Sequence, residues 1–219
     1  KSKDWLTQNF PTNNVKVIPN PALYPVPLSN EGSVHPHSMI SQSKKIILAS
    51  GRLHKYKQFD LLIKAFLKLK DKHSDWDLVI LGDGEERDTL KSMVMKFGIT
   101  DRVYLPGSIG NMSEWYERAD LFILSSIVEG FPNVLLEAMT YGLPSISFDC
   151  DTGPRDIIQD GVNGILVNPN DKELGLSNAM DKIITNQAFR RKIGNNAMLL
   201  REKYSVINII KKWNNIIDV

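Results

Sequence analysis

From Lys44 onward the chain alternates short apolar runs with stretches whose apolar residues recur every three or four positions. "KIILASG", "DLVILGDG", "RVYLPG", "DLFILSS", "PSISFD" and "NGILV" have the length and β-branched content of buried strands. Between them "FDLLIKAFLKLKDK", "EERDTLKSMVMKFG", "MSEWYERA", "PNVLLEAMTYG" and "PRDIIQDG" carry helical spacing. Strands separated by helices predict βαβ units: a Rossmann-like α/β fold whose parallel sheet is covered by helices on both faces. After Asp171 the pattern is helical to the end, through "LGLSNAMDKIITN", "QAFRRKIGNNAMLLREKY" and "VINIIKKWNNII".

Residues 1–43 read differently. "KSKDWLTQNF" has the spacing of a short amphipathic helix, "VKVIPNP" reads as a strand running into a proline turn, and "ALYPVPLSNEGSVHPHS" reads as an extended connector.

Composition narrows the chemistry. The 27 Lys and Arg against 25 Asp and Glu leave a formal charge of +2, which gives no reason to expect a nucleic-acid partner, so anion binding has to be local. Cys150 is the single cysteine, which excludes an internal disulfide and reads as a packed residue. His35, His37, His54 and His73 lack metal-ligand spacing, and no metal site is expected. No apolar run reaches the ~20 residues of a membrane span, and the start lacks the apolar core of a signal peptide.

The expected strand ends carry small or turn residues: Ser50-Gly51, Gly82-Asp83-Gly84, Pro106-Gly107 and Ser125-Ser126. In open α/β sheets the ligand crevice lies beyond these ends. Gly51, Gly82 and Gly107 allow tight turns or close approach of backbone to a ligand, although ordinary turns use the same residues. Arg52 and Lys57 sit in the first such loop, where two cations could neutralise a diphosphate.

The stretch "SSIVEGFPNVLLEAMTYGLP" is the most informative. Pro132 suits the first turn of a helix, leaving the amides of Asn133, Val134 and Leu135 free to hold an anion. Glu137 lies five residues further, roughly 7.5 Å along the axis at 1.5 Å per residue, where a carboxylate could take the two hydroxyls of a ribose. Glu129, in the preceding loop, could reach hydroxyls beyond the phosphates. Two carboxylates bracketing an anion site fit a sugar nucleotide.

Together these segments resemble the carboxyl-terminal half of the retaining glycosyltransferases of group 1, family 4, which have the two-domain GT-B fold. The Glu-x7-Glu spacing from Glu129 to Glu137 carries the resemblance, with "SGRLHKYKQFDLLIKAF", "VIPNP" and "GPRDIIQDGVNGILV". It implies that Arg52 and Lys57 bind the donor diphosphate, Glu129 the donor sugar and Glu137 the ribose. It also implies backbone contacts from residues 131–135, Phe131 included, and nucleobase contacts near residues 105–109, including Ser108 and Ile109. Gln58 departs from the pattern, since many members have glycine after the lysine.

The implied reaction moves a hexose or N-acetylhexosamine from a nucleoside diphosphate sugar, UDP-linked by analogy, to a growing surface glycan such as lipid-linked O-antigen. No cofactor or metal is implied. Residues 1–43 are then the end of a preceding acceptor domain plus linker, 44–200 the nucleotide-sugar-binding domain, and 201–219 a helix packing toward that missing domain. The whole enzyme is expected in the cytoplasm, at the inner face of the membrane as a peripheral protein. A noncatalytic nucleotide-sugar module and a glycoside hydrolase using Glu129 and Glu137 are the competing readings.

Overall fold

The computed structural model describes residue 9 and residues 15–29 and 32–217. Most of the expected helix in "KSKDWLTQNF" lies outside the described residues. Six parallel strands form one sheet: β1 (Lys45–Ser50), β2 (Trp76–Leu81), β3 (Val103–Gly107), β4 (Leu121–Leu124), β5 (Ser145–Phe148) and β6 (Ile165–Val167), in the order β3-β2-β1-β4-β5-β6. All six expected strands are present, and the order is that of a doubly wound nucleotide-binding sheet.

Burial explains the near-continuous apolar strands. On one face α2 (Phe59–Leu67), α3 (Arg87–Lys96) and α7 (Lys172–Thr185) pack around Leu62, Phe66, Leu90 and Ile183. On the other α4 (Met112–Arg118) and α5 (Asn133–Thr140) pack around Trp115, Tyr116, Leu136 and Met139. The short helices α1 (Pro36–Met39) and α6 (Pro154–Ile157) edge this second face. The expected helix "QAFRRKIGNNAMLLREKY" is divided, α8 (Gln187–Met198) giving way at Leu199 to α9 (Leu200–Lys203). The last element, α10 (Val206–Ile217), buries Ile209 and leaves Ile210, Trp213 and Ile217 exposed.

The segment "VKVIPNP" is a correction: residues 15–20 are extended but form no strand. They run outside α5, where no sheet edge is available, and Asn20 Nδ2 donates to Asn133 Oδ1 at 3.0 Å. The connector beyond is strapped to the same face. Ala22 N–H donates to the Tyr204 carbonyl (2.8 Å), Val26 N–H to the Tyr141 hydroxyl (2.9 Å), and Trp115 Nε1 to the Val34 carbonyl (2.9 Å). Arg201 stacks over Tyr24 at 3.7 Å.

The strand order reverses between β1 and β4, and pairing there is short. Ile47 registers with Leu121 and Leu48 with Phe122, whereas β1 and β2 pair along their whole length. The loops leaving β1 and β4 on opposite sides of this point bring the candidate residues together.

Candidate functional site at the switch point

The loop after β1 contains a short 3-10 turn, Lys55–Lys57, capped by the His54 ring, which accepts from Tyr56 N–H at 3.2 Å. Gln58 closes it in the left-handed conformation, φ +47°. That region suits glycine, which accounts for glycine at this place in the resembling sequences. The turn is stitched to the loop after β4: Ser125 Oγ donates to the Lys57 carbonyl (2.6 Å) and Ile127 N–H to the Tyr56 carbonyl (3.0 Å). The outcome is an ion pair between residues 72 positions apart, Lys57 Nζ to Glu129 Oε1 at 2.5 Å.

Arg52 is placed differently. Its side chain is 75% exposed, with Nε 3.5 Å from Glu85 Oε2, and His54 Nε2 is 3.1 Å from the other oxygen of the same carboxylate. The Glu85 carboxyl is held below its ordinary range, chiefly by its own backbone amide and then, against some desolvation, by His54 and Arg52. Sequence reasoning passed over Glu85; its signal was an acidic residue directly after the glycine turn of "GDGEE".

The strand-end glycines lace the loops together. Gly82, at φ +126°, lies so close to the β1 loop that a Cβ there would stand 2.0 Å from the Gly51 carbonyl oxygen. Its N–H donates to the Gly107 carbonyl at 2.8 Å. Above them Gly51, Arg52, Gly82, Ser108, Ile109 and Met112 help line a cavity of about 350 Å³. Gly107 and Glu137 do not border it. Its volume lies within the range of small-molecule sites, and it opens at the carboxyl ends of the strands.

At the start of α5, Pro132 is the N-cap rather than the first helical residue (φ −80°, ψ 90°). This corrects the expected anion site in one respect: Leu135 N–H already donates to the Pro132 carbonyl (3.1 Å), as does Leu136 N–H (3.2 Å). The amides of Asn133 and Val134 have no protein acceptor among the described residues. They are the orphan donors of the helix start. Phe131 is half-buried, its ring 6.0 Å from that of Tyr204. With residues 17–20, Asp151, Thr152, Arg155, Asp156 and Tyr204 it borders a second cavity of about 480 Å³.

Glu137 lies one turn into α5, half-buried among apolar neighbours, and accepts from the Tyr116 hydroxyl at 3.0 Å. Desolvation raises its pKa above the usual glutamate range, partly countered by that bond, and burial pushes the Tyr116 hydroxyl well up. Tyr116, within the helix expected from "MSEWYERA", sets the direction of the Glu137 carboxylate. The sign for stability follows from the raised folded pKa. Protonated Glu137 is favoured in the fold, so its contribution is complete below the unfolded pKa and is lost as pH rises through the folded one. Glu137→Gln is expected to flatten that part of the melting temperature profile, measured by circular dichroism across the acid range.

Cys150 is buried, donates Sγ–H to the Ser126 carbonyl at 3.0 Å, and has its thiol pushed up to about 11 by desolvation first and by Glu129 and Asp149 next. It is a packing residue beside the site. Among the described residues no group of three or more His, Cys, Asp or Glu could hold a metal ion, and no helix is long and apolar enough to cross a membrane.

Comparison with known proteins accords with this geometry. The family described as Glycosyl transferases group 1 matches residues 33–199. An uncharacterized glycosyltransferase of Haemophilus influenzae is 32% identical over 211 residues, 96% of this chain and 57% of that protein. The amylovoran biosynthesis glycosyltransferase AmsD of Erwinia amylovora is 32% identical, over 99% of this chain and 59% of that protein. The chain therefore spans less than two thirds of these relatives. The pneumococcal O-GlcNAc transferase GtfA, solved with UDP and GlcNAc, superposes with a TM-score of 0.74 over 85% of this chain and 38% of that one, at 24% identity. The six-stranded sheet is that of one half of a GT-B glycosyltransferase. By the family match over residues 33–199 and the identity shared with these relatives, the chain belongs to the group 1 glycosyl transferases.

Proposed function

We propose that this chain is the donor-binding half of a retaining glycosyltransferase that takes a hexosyl or N-acetylhexosaminyl unit from a UDP-sugar to a hydroxyl of a growing surface glycan. The observation that carries the reading is the meeting of Lys57 and Glu129 at the switch point, beside the orphan amides of Asn133 and Val134. A cation and a helix start can meet the charge that develops on a leaving diphosphate, and such contacts stabilise the transition state most. Glu129 orients the sugar and Glu137 holds the ribose, while the nucleobase enters the cavity bordered by Gly51, Ser108 and Ile109. Glu129 and Glu137 have separate partners, Lys57 and Tyr116, an arrangement that favours positioning over the paired acid and nucleophile of a retaining hydrolase.

UDP as the nucleotide is supported by the UDP-bound structural neighbour, and a polysaccharide acceptor by the amylovoran relative. In the whole enzyme the exposed face of α10 around Trp213 meets the preceding acceptor domain, of which residues 1–43 are the end and linker. That enzyme works at the cytoplasmic face of the membrane, and its donor site needs no metal because Lys57, Arg52 and the helix amides supply the positive field. Calorimetric titration with UDP and GDP tests the reading. UDP is expected to bind selectively, with EDTA making no difference, and Arg52→Ala and Glu137→Ala each weakening it roughly ten- to hundredfold, as for lost charge-assisted hydrogen bonds. Equal binding of both nucleotides, or affinity untouched by both substitutions, would sink it.

A further inference from the structure

Lys57 and Glu129 are assigned different parts of the donor, yet in the ligand-free site they hold each other. The two side chains are 23% and 10% exposed, so the pair is largely out of water. Their backbones are fixed: the Lys57 carbonyl accepts from Ser125 Oγ, and the Glu129 carbonyl from Thr152 Oγ1 at 2.5 Å. The pair can open by side-chain rotation, but the loops that carry it are tied in place.

We propose that this ion pair is an exchange contact that makes the site discriminate a sugar nucleotide from the bare nucleoside diphosphate. The inference rests on the donor reading above. An incoming diphosphate competes with Glu129 for the Lys57 ammonium, and the two anions repel across that short distance. Glu129 is then a nearly buried carboxylate without its counter-ion, an expensive state unless new donors arrive. Sugar hydroxyls are such donors. A nucleoside diphosphate carries none in that place, so it opens the pair and leaves Glu129 unsatisfied. The exchange therefore weakens the product nucleotide relative to the donor and favours its departure after transfer.

Titration calorimetry with UDP, UDP-glucose and UDP-N-acetylglucosamine on this chain and on Glu129→Gln tests the point, with thermal unfolding confirming that the variant folds. Removing the negative charge is expected to tighten UDP about tenfold and to bring the ratio of sugar-nucleotide to UDP affinity toward one. Glu129→Asp, which keeps the charge, is expected to keep UDP weak. UDP binding that is unchanged or weaker in Glu129→Gln overturns the exchange while leaving the donor reading intact. No nucleotide binding by either chain removes that reading and the inference with it.

Discussion

Lys57→Met is expected to weaken UDP binding about a hundredfold, roughly 2.7 kcal/mol. Two effects of the substitution must be kept apart. The variant removes a cation from the switch point, where a diphosphate would otherwise gain a charge-assisted bond in a poorly hydrated place. It also strands Glu129, 10% exposed, without the ammonium that balances it, so the folded chain itself loses about 3 kcal/mol. A second substitution separates the two. In Lys57→Met combined with Glu129→Gln the stranded charge is gone and most of the stability returns in urea unfolding, while UDP binding stays weak in calorimetry. Recovery of both together would mean that Lys57 only holds Glu129 in place and never meets the phosphates.

Arg102→Met is expected to cost about 3–5 kcal/mol of stability, the range for removing one partner of a buried pair. The residue lies at the opposite end of the sheet from the site. Its Nε donates to Asp77 Oδ1 at 2.7 Å, Nη1 to the Lys70 carbonyl at 3.2 Å, and Nη2 to the carbonyls of His73 (3.0 Å) and Trp76. Asp77 sits within β2 at 2% exposure, with Lys44 Nζ a further 3.6 Å from its carboxylate. Loss of the guanidinium strands that carboxylate and the Lys70 and Trp76 carbonyls, while the His73 carbonyl keeps the Trp76 N–H at 3.1 Å. Asp77→Leu added to Arg102→Met removes the stranded charge and is expected to restore part of the loss in urea unfolding. A drop below 1 kcal/mol for Arg102→Met alone would show that Lys44 balances Asp77 unaided.

The elements of this fold are legible in the chain because the sheet is buried on both sides. Apolar runs such as "KIILAS" and "WDLVIL" can be little else when bounded by glycine and flanked by amphipathic helices. The sequence also names the site-bearing loops, since strand ends and a proline-started helix mark where a crevice opens. Side-chain pairing is not legible. Nothing local tells that Lys57 meets Glu129, that Arg52 leans on Glu85, or that Tyr116 directs Glu137, because each pair is made by strand order and loop geometry. The errors are of the same kind. "VKVIPNP" has strand chemistry but no edge to join, and Leu135 has the position of a free amide but turns its N–H back onto Pro132.

The order β3-β2-β1-β4-β5-β6 also bears on the chain entropy of assembling the site. Bringing β4 beside β1 closes a far longer loop than pairing β1 with β2, yet each doubling of loop length costs only about 0.6 kcal/mol. A crevice whose two walls come from distant stretches of chain is thus cheap to form. It is also conditional: a polypeptide ending before Leu121 would carry the cationic turn and lack the carboxylate that faces it. Binding competence and the joining of the two sheet halves are one event.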